Sequence, residues 1–136
     1  MTQPALRAQP LLCVADVPAA SRWYQRNLGL VSPLDPDHPH RAGYDLLTSD
    51  GLAVLQLHDM DQADHHGAMA APGVPLGNGV AVWFSTRDFD AVVALARAGG
   101  ATVQTDVNTN PNSGNCELWL RDDDGYLVVI SSEPAD

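Results

Sequence analysis

The segment LQLHDMDQADHH, Leu55 to His66, gathers three of the chain's five histidines and three aspartates into twelve positions. Imidazole nitrogens, carboxylates and amide oxygens can all ligate metal ions. Two imidazoles with a carboxylate form a recognised set for catalytic iron or zinc. Gln56 and His58 are two apart, so in a strand they share a face. His65 or His66 could then fold back from the following linker, and Glu117, which shares a face with Trp119 in CELWL, could approach from a neighbouring strand. The opposing reading makes His58 the end of a strand and the remainder a solvated linker. The segment lacks a sharp metal spacing such as HExxH, which favours the linker.

Other residues offer different chemistry. Trp83 and Trp119 lie in strand-like runs, and Trp23 and Tyr24 lie in a helix-like one. Aromatics at such spacings are expected in the core. A metal-free pocket needs aromatic walls and a few polar groups, and Gln9, Gln56, His58, Trp83, Glu117 and Trp119 are candidates to line one. NTNPNSGN, Asn108 to Asn115, is expected to be a turn-rich loop, and beside a pocket mouth it could recognise polar ligand groups. Asp122, Asp123 and Asp124 read as an exposed turn. No serine sits in a strand-turn-helix elbow, which argues against Ser-His-Asp chemistry.

The chain has 136 residues, enough for one domain with a core. Seven basic and seventeen acidic residues give a formal net charge of −10. That charge repels nucleic-acid phosphates and anionic lipid, so neither is an expected partner. No apolar run is long enough for a transmembrane helix. The N-terminus lacks the long apolar region and cleavage site of a signal peptide, and Cys13 and Cys116 stand apart in apolar runs. Reduced, buried thiols and a cytoplasmic location are expected.

The elements that must position these side chains occur twice. Pro10 to Ala15 reads as a strand. Asp16 and Pro18 open a helix over Val17 to Asn27, and Gly29 stops it. Leu30 to Leu34 reads as a short strand. Tyr44 to Thr48 and Leu52 to Leu57 then flank the turn signal Asp50-Gly51. In the second half Val80 to Ser85 is a strand, Asp88 a helix cap, and Gly99-Gly100 a stop. Thr102 to Val107 is a strand, and two more flank Asp124-Gly125. The capping aspartates are 72 positions apart (88 less 16) and the turn aspartates 74 (124 less 50). Near-equal offsets at two landmarks indicate an internal repeat. The expected architecture is one α+β domain of two βαβββ modules, about 8–58 and 79–132, joined by a linker at about 59–78.

With those elements in place, VADVPAASRWYQRNLGL, Val14 to Leu30, resembles the opening of the vicinal oxygen chelate superfamily. This group includes glyoxalase I, bleomycin-resistance proteins, fosfomycin-resistance enzymes and extradiol dioxygenases. LWLRDDDGYLVVI, Leu118 to Ile130, resembles its second signature, with Asp123 where proline is usual. The resemblance spans nearly the whole chain. It implies an open, curved barrel of mixed β-sheet and, commonly, a homodimer. Metal-using members place four ligands on the concave surface. Carried over, those positions fall at Gln9, Gln56, Val80 and Val129, where His, Glu, His and Glu are usual. Valine has no lone pair, and neutral amides bind divalent ions weakly.

Three functions follow as expectations. The first is a metal-independent binder of a small organic molecule, resembling the bleomycin-resistance branch, with no cofactor. The second is a divergent glyoxalase- or dioxygenase-type enzyme, holding iron, zinc, manganese or nickel through His58, Glu117 and His65 or His66. The third is a catalytically silent structural or regulatory domain.

Overall fold

The computed structural model describes residues 4–35, 37, 42–60 and 67–133. Its elements run β1 (Leu11–Cys13), α1 (Val17–Leu28), β2 (Tyr44–Ser49), β3 (Leu52–His58), β4 (Ala81–Thr86), α2 (Phe89–Ala98), β5 (Thr102–Thr109), β6 (Cys116–Arg121) and β7 (Leu127–Ser132). They build two sheets, ordered β1-β3-β2 and β4-β7-β6-β5. In each sheet the strand before the helix pairs in parallel with the module's last strand: β1 with β3, and β4 with β7. This is the repeated α+β architecture that the sequence landmarks imply.

Local chemistry explains the element ends. The Asp16 carboxylate accepts from Ala19 N at 3.0 Å and caps α1, while Gly29, at φ 69°, ends it in the left-handed conformation. Asp88 makes no such side-chain cap to α2. Asp50 and Gly51 both have positive φ, as a tight two-residue hairpin requires. One element differs from the sequence reading. The strand expected over Leu30 to Leu34 is reduced to a single bridge between Val31 and Thr48. Pro33 has no N–H to offer a ladder, and the Ser32 hydroxyl instead donates to the Asp45 carboxylate at 2.7 Å.

Alternation sorts the strands into two faces. Leu12, Leu47, Leu55 and Leu57 of the first sheet, and Val82, Leu118, Leu120, Val128 and Ile130 of the second, join Trp23, Tyr24 and Leu28 of α1 in one core. The helices pack together, and Gly99 lies so close to Asn27 that a β-carbon there would overlap its amide. The opposite faces carry exposed Leu11 and Trp83 beside buried Cys13, His58, Glu117 and Val129.

The two modules are joined through the turn before β7. Asp122 is buried, whereas the sequence pattern places it on an exposed turn. Its Oδ2 accepts from the Tyr24 hydroxyl of α1 at 2.7 Å. Its Oδ1 accepts from the backbone N–H groups of Asp124 and Tyr126. Asp124 in turn accepts from Ala15 N at 2.9 Å, and the Tyr126 hydroxyl donates to the Cys13 carbonyl at 2.7 Å. Burial pushes the Tyr126 hydroxyl up to about 12, with nearby negative charge adding to the rise.

Burial also raises the Asp122 and Asp124 carboxyls from their ordinary value, against the hydrogen bonds that pull them down. A carboxyl raised in the folded state binds protons there more readily than in the unfolded chain. Its contribution to stability is therefore smallest at neutral pH and grows as pH falls through its folded value toward its ordinary one. We expect Asp122→Asn to cost more stability at pH 4.5 than at pH 7, as read by urea unfolding at both; an equal cost would refute the assignment. Gly77, at φ 81°, abuts the Gly125 backbone so closely that a β-carbon would overlap it. Gly77→Ala should cost about 3 kcal/mol in the same measurement.

Candidate functional site

On the second sheet, register aligns Trp83 with Val129 and Val129 with Trp119. Both indoles therefore flank one valine on the open face. They stand edge to face, with centroids 6.1 Å apart at 85°. Val129 is fully buried between these neighbours, but Trp83 is 48% exposed. The core placement expected of these aromatics holds for Trp23 and Tyr24 and fails for Trp83. The difference is the face: Val82 and Phe84 point toward the helices, and Trp83 points away from them.

Glu117 belongs to the same face, two positions before Trp119. It is buried, and both carboxylate oxygens are held. Oε1 accepts from Trp119 Nε1 at 2.9 Å, and Oε2 accepts from Asn110 Nδ2 at 2.8 Å. Asn110 comes from the asparagine-rich loop, whose first two residues extend β5. The loop is thus tied to the tryptophan pair through one carboxylate. Arg121, further along the face, donates to Gln104 and to the Gly125 carbonyl.

On the first sheet the open face carries Leu11 and Cys13 of β1 beside Gln56 and His58 of β3. Gln56 Oε1 accepts from the Tyr44 hydroxyl at 2.7 Å, and its amide donates to the Gln9 carbonyl at 3.1 Å. Gln9 itself is exposed ahead of β1. His58 is buried, with Nδ1 2.9 Å from the Asp59 carbonyl oxygen. A cleft of about 500 Å³ opens between β1 and β4, the edge strands of the two sheets. Leu11 and Val54 line one side of it, and Ala81, Trp83 and Ser85 the other. Its size lies in the range of small-molecule pockets.

The structure thus unites Trp83, Trp119 and Glu117, and separately unites Gln9 and Gln56. His58 stands in the first sheet and Glu117 in the second. His65 and His66 lie outside the described residues. Among the described residues, no three His, Cys, Asp or Glu side chains converge as a metal site. Val80 precedes β4, and alternation puts Ala81, not Val80, on the Trp83 face. Gln9 advanced by the 72-position repeat offset is likewise Ala81. Sequence reasoning also passed over Tyr44 and Ser85, and met Asn110 only as part of the asparagine-rich loop. Tyr44 could have been found by pairing β2 against β3 across the Asp50-Gly51 turn.

The family model described as Glyoxalase/Bleomycin resistance protein/Dioxygenase superfamily matches residues 7–130. The chain belongs to this superfamily. Its duplicated βαβββ architecture is the superfamily's own. No curated protein matches the chain. Among solved structures, an integron cassette protein from V. cholerae superposes with TM-score 0.72 at 20% identity, covering 98% of this chain and 99% of that one. A lactoylglutathione lyase from Agrobacterium tumefaciens gives 0.66 at 21%, covering 96% of each. The fosfomycin resistance protein FosX from Mesorhizobium loti gives 0.64 at 8%, covering 97% and 95%. At these identities the likeness is one of fold. Among the described residues, no helix is long and apolar enough to cross a membrane.

The half-exposed Trp83 sets a test of what its side chain is for. Trp83→Ala should cost about 1 kcal/mol of stability, because much of its surface is already in water. Trp23→Ala, 3% exposed in the core, should cost about 3–5 kcal/mol. Comparable losses in urea unfolding would assign Trp83 to structure instead of binding.

Proposed function

We propose that the protein binds a small organic molecule in the cleft between β1 and β4, against the open face of the second sheet and without a metal ion there. The observation that carries this reading is the exposed Trp83 indole at the cleft wall, set at right angles to Trp119. Large aromatic surface held at a cleft wall favours a flat apolar or aromatic ligand. The chain's charge of −10 favours a cationic group on that ligand.

The superfamily's metal positions support the same reading. Val129 and Val80, or Ala81 in its place, offer no donor atom. Gln56 Oε1 is already engaged by Tyr44, and Gln9 is exposed. This set does not fit a divalent ion. A metal-free binding pocket of this kind would resemble the bleomycin-resistance branch of the superfamily.

The test is a titration of chelator-treated protein, followed by tryptophan fluorescence, with bleomycin and with the planar cation N-methylacridinium. Saturable quenching is expected, together with loss of at least about tenfold in affinity in Trp83→Ala. Neutral acridine should bind more weakly than its cation. Binding that appears only after a divalent metal is added, or that survives Trp83→Ala unchanged, would overturn the proposal.

A further inference from the structure

The cleft between β1 and β4 has a neighbour. A second groove, of about 420 Å³, lies between β1 and the residues 69–78 that precede β4. Leu11, Leu12 and Val80 line both spaces, so one trough runs from Trp83 past Val80 to Met69, Val74 and Leu76. Exposed apolar side chains gather along it. Of the eleven large apolar side chains that the described residues expose, five line this trough: Leu11, Met69, Val74, Val80 and Trp83. Single exposed apolar residues are ordinary on a protein surface, whereas a contiguous run of them marks a binding surface.

No charged side chain lines either space. In the second groove the Tyr126 hydroxyl is committed to the Cys13 carbonyl, and the Cys13 thiol to Met60 and the Asp59 carbonyl. Asn78 apart, the remaining side chains there are apolar. A polar guest would lose hydration in such a groove without recovering its hydrogen bonds, and an aliphatic one would not. The wall is held by its own backbone: Gly77 sits against Gly125, and Val74 N donates to the Ala71 carbonyl at 3.3 Å. A wall fixed in advance lowers the ordering cost of binding.

We propose that the ligand of the cleft has two parts, a flat aromatic cation against Trp83 and an aliphatic chain that runs past Leu11 and Val80 into the groove of Met69, Val74 and Leu76. The proposal rests on the cleft being the binding site, and it adds the chemical class of the guest, an aromatic cation carrying an alkyl tail. The continuity of the two spaces through Leu11 and Val80 is what assigns the groove to the same guest.

The test is a series of N-alkylacridinium cations, methyl, butyl and octyl, titrated into the full-length protein below their self-association and followed by tryptophan quenching. Affinity should rise about threefold for each methylene buried, and so by at least about tenfold from methyl to butyl. The double substitution Met69→Ser/Val74→Ser leaves the charge unchanged and alters only side chains 42% and 56% exposed, with circular dichroism as the check on folding. It should flatten the series while binding N-methylacridinium as the parent protein does. Trp83→Ala should weaken every member. If N-methylacridinium binds with no gain along the series, or the gain survives the double substitution, the groove is overturned and the cleft reading stands. Octyl binding that needs Met69 and Val74 but not Trp83 would overturn the two-part ligand, and binding by no member would overturn groove and cleft together. A flat series with a double variant that sediments as a smaller species than the parent would give the groove to a second copy of the chain, and would also overturn the proposal.

Discussion

The relation between the two sheets depends on one buried carboxylate. Asp122 sits in the turn that leads into β7, yet its strongest partner is Tyr24 on the helix of the other module. A carboxylate taken from water must recover its lost hydration through hydrogen bonds, and Asp122 does so with a phenol and two backbone N–H groups. Those bonds fix the turn, and the fixed turn then brings Asp124 to Ala15 and Tyr126 to Cys13. The second module is thereby latched to the first strand of the first. The close approach of Gly77 to Gly125 is the steric half of the same arrangement.

This latch has a consequence for binding. β1 and β4 each pair on one side only, with β3 and with β7. Joining the modules through the Asp122 turn and through the helix contact at Asn27 and Gly99 brings these two edges together without merging them into one sheet. The space left between them is the cleft, with Trp83 on its wall. A ligand there would meet residues of both modules, so the duplication and the latch together create what one module lacks.

The open faces divide their chemistry. The second sheet presents indole surface and a carboxylate held by Trp119 and Asn110. The first presents amide, imidazole and sulfur, with Gln56 committed to Tyr44 and Gln9, and Cys13 set against Met60. The polar groups of the two faces thus have different partners, Trp119 and Asn110 on one and Tyr44 and Met60 on the other.

Much of this was legible in the chain. The offsets from Asp16 to Asp88 and from Asp50 to Asp124, with the turn glycines, determined a duplicated βαβββ unit, because caps and tight turns depend on residues close in sequence. Strand alternation likewise put Gln56 with His58 and Glu117 with Trp119. What spacing could not convey was which face each pair would show to water. Trp83 and Trp23 look alike as aromatics in apolar runs, but the helices cover one face of each sheet and leave the other open. Asp122 looked like one of three exposed turn aspartates until Tyr24, 98 residues away, supplied its partner. The meeting of Cys13 with Met60 was decided in the same way. The sequence by itself determined the elements and their order, through local hydrogen bonding and backbone sterics. The tertiary structure alone decided which side chains meet, because burial and partnership are set by residues that distance along the chain does not reveal.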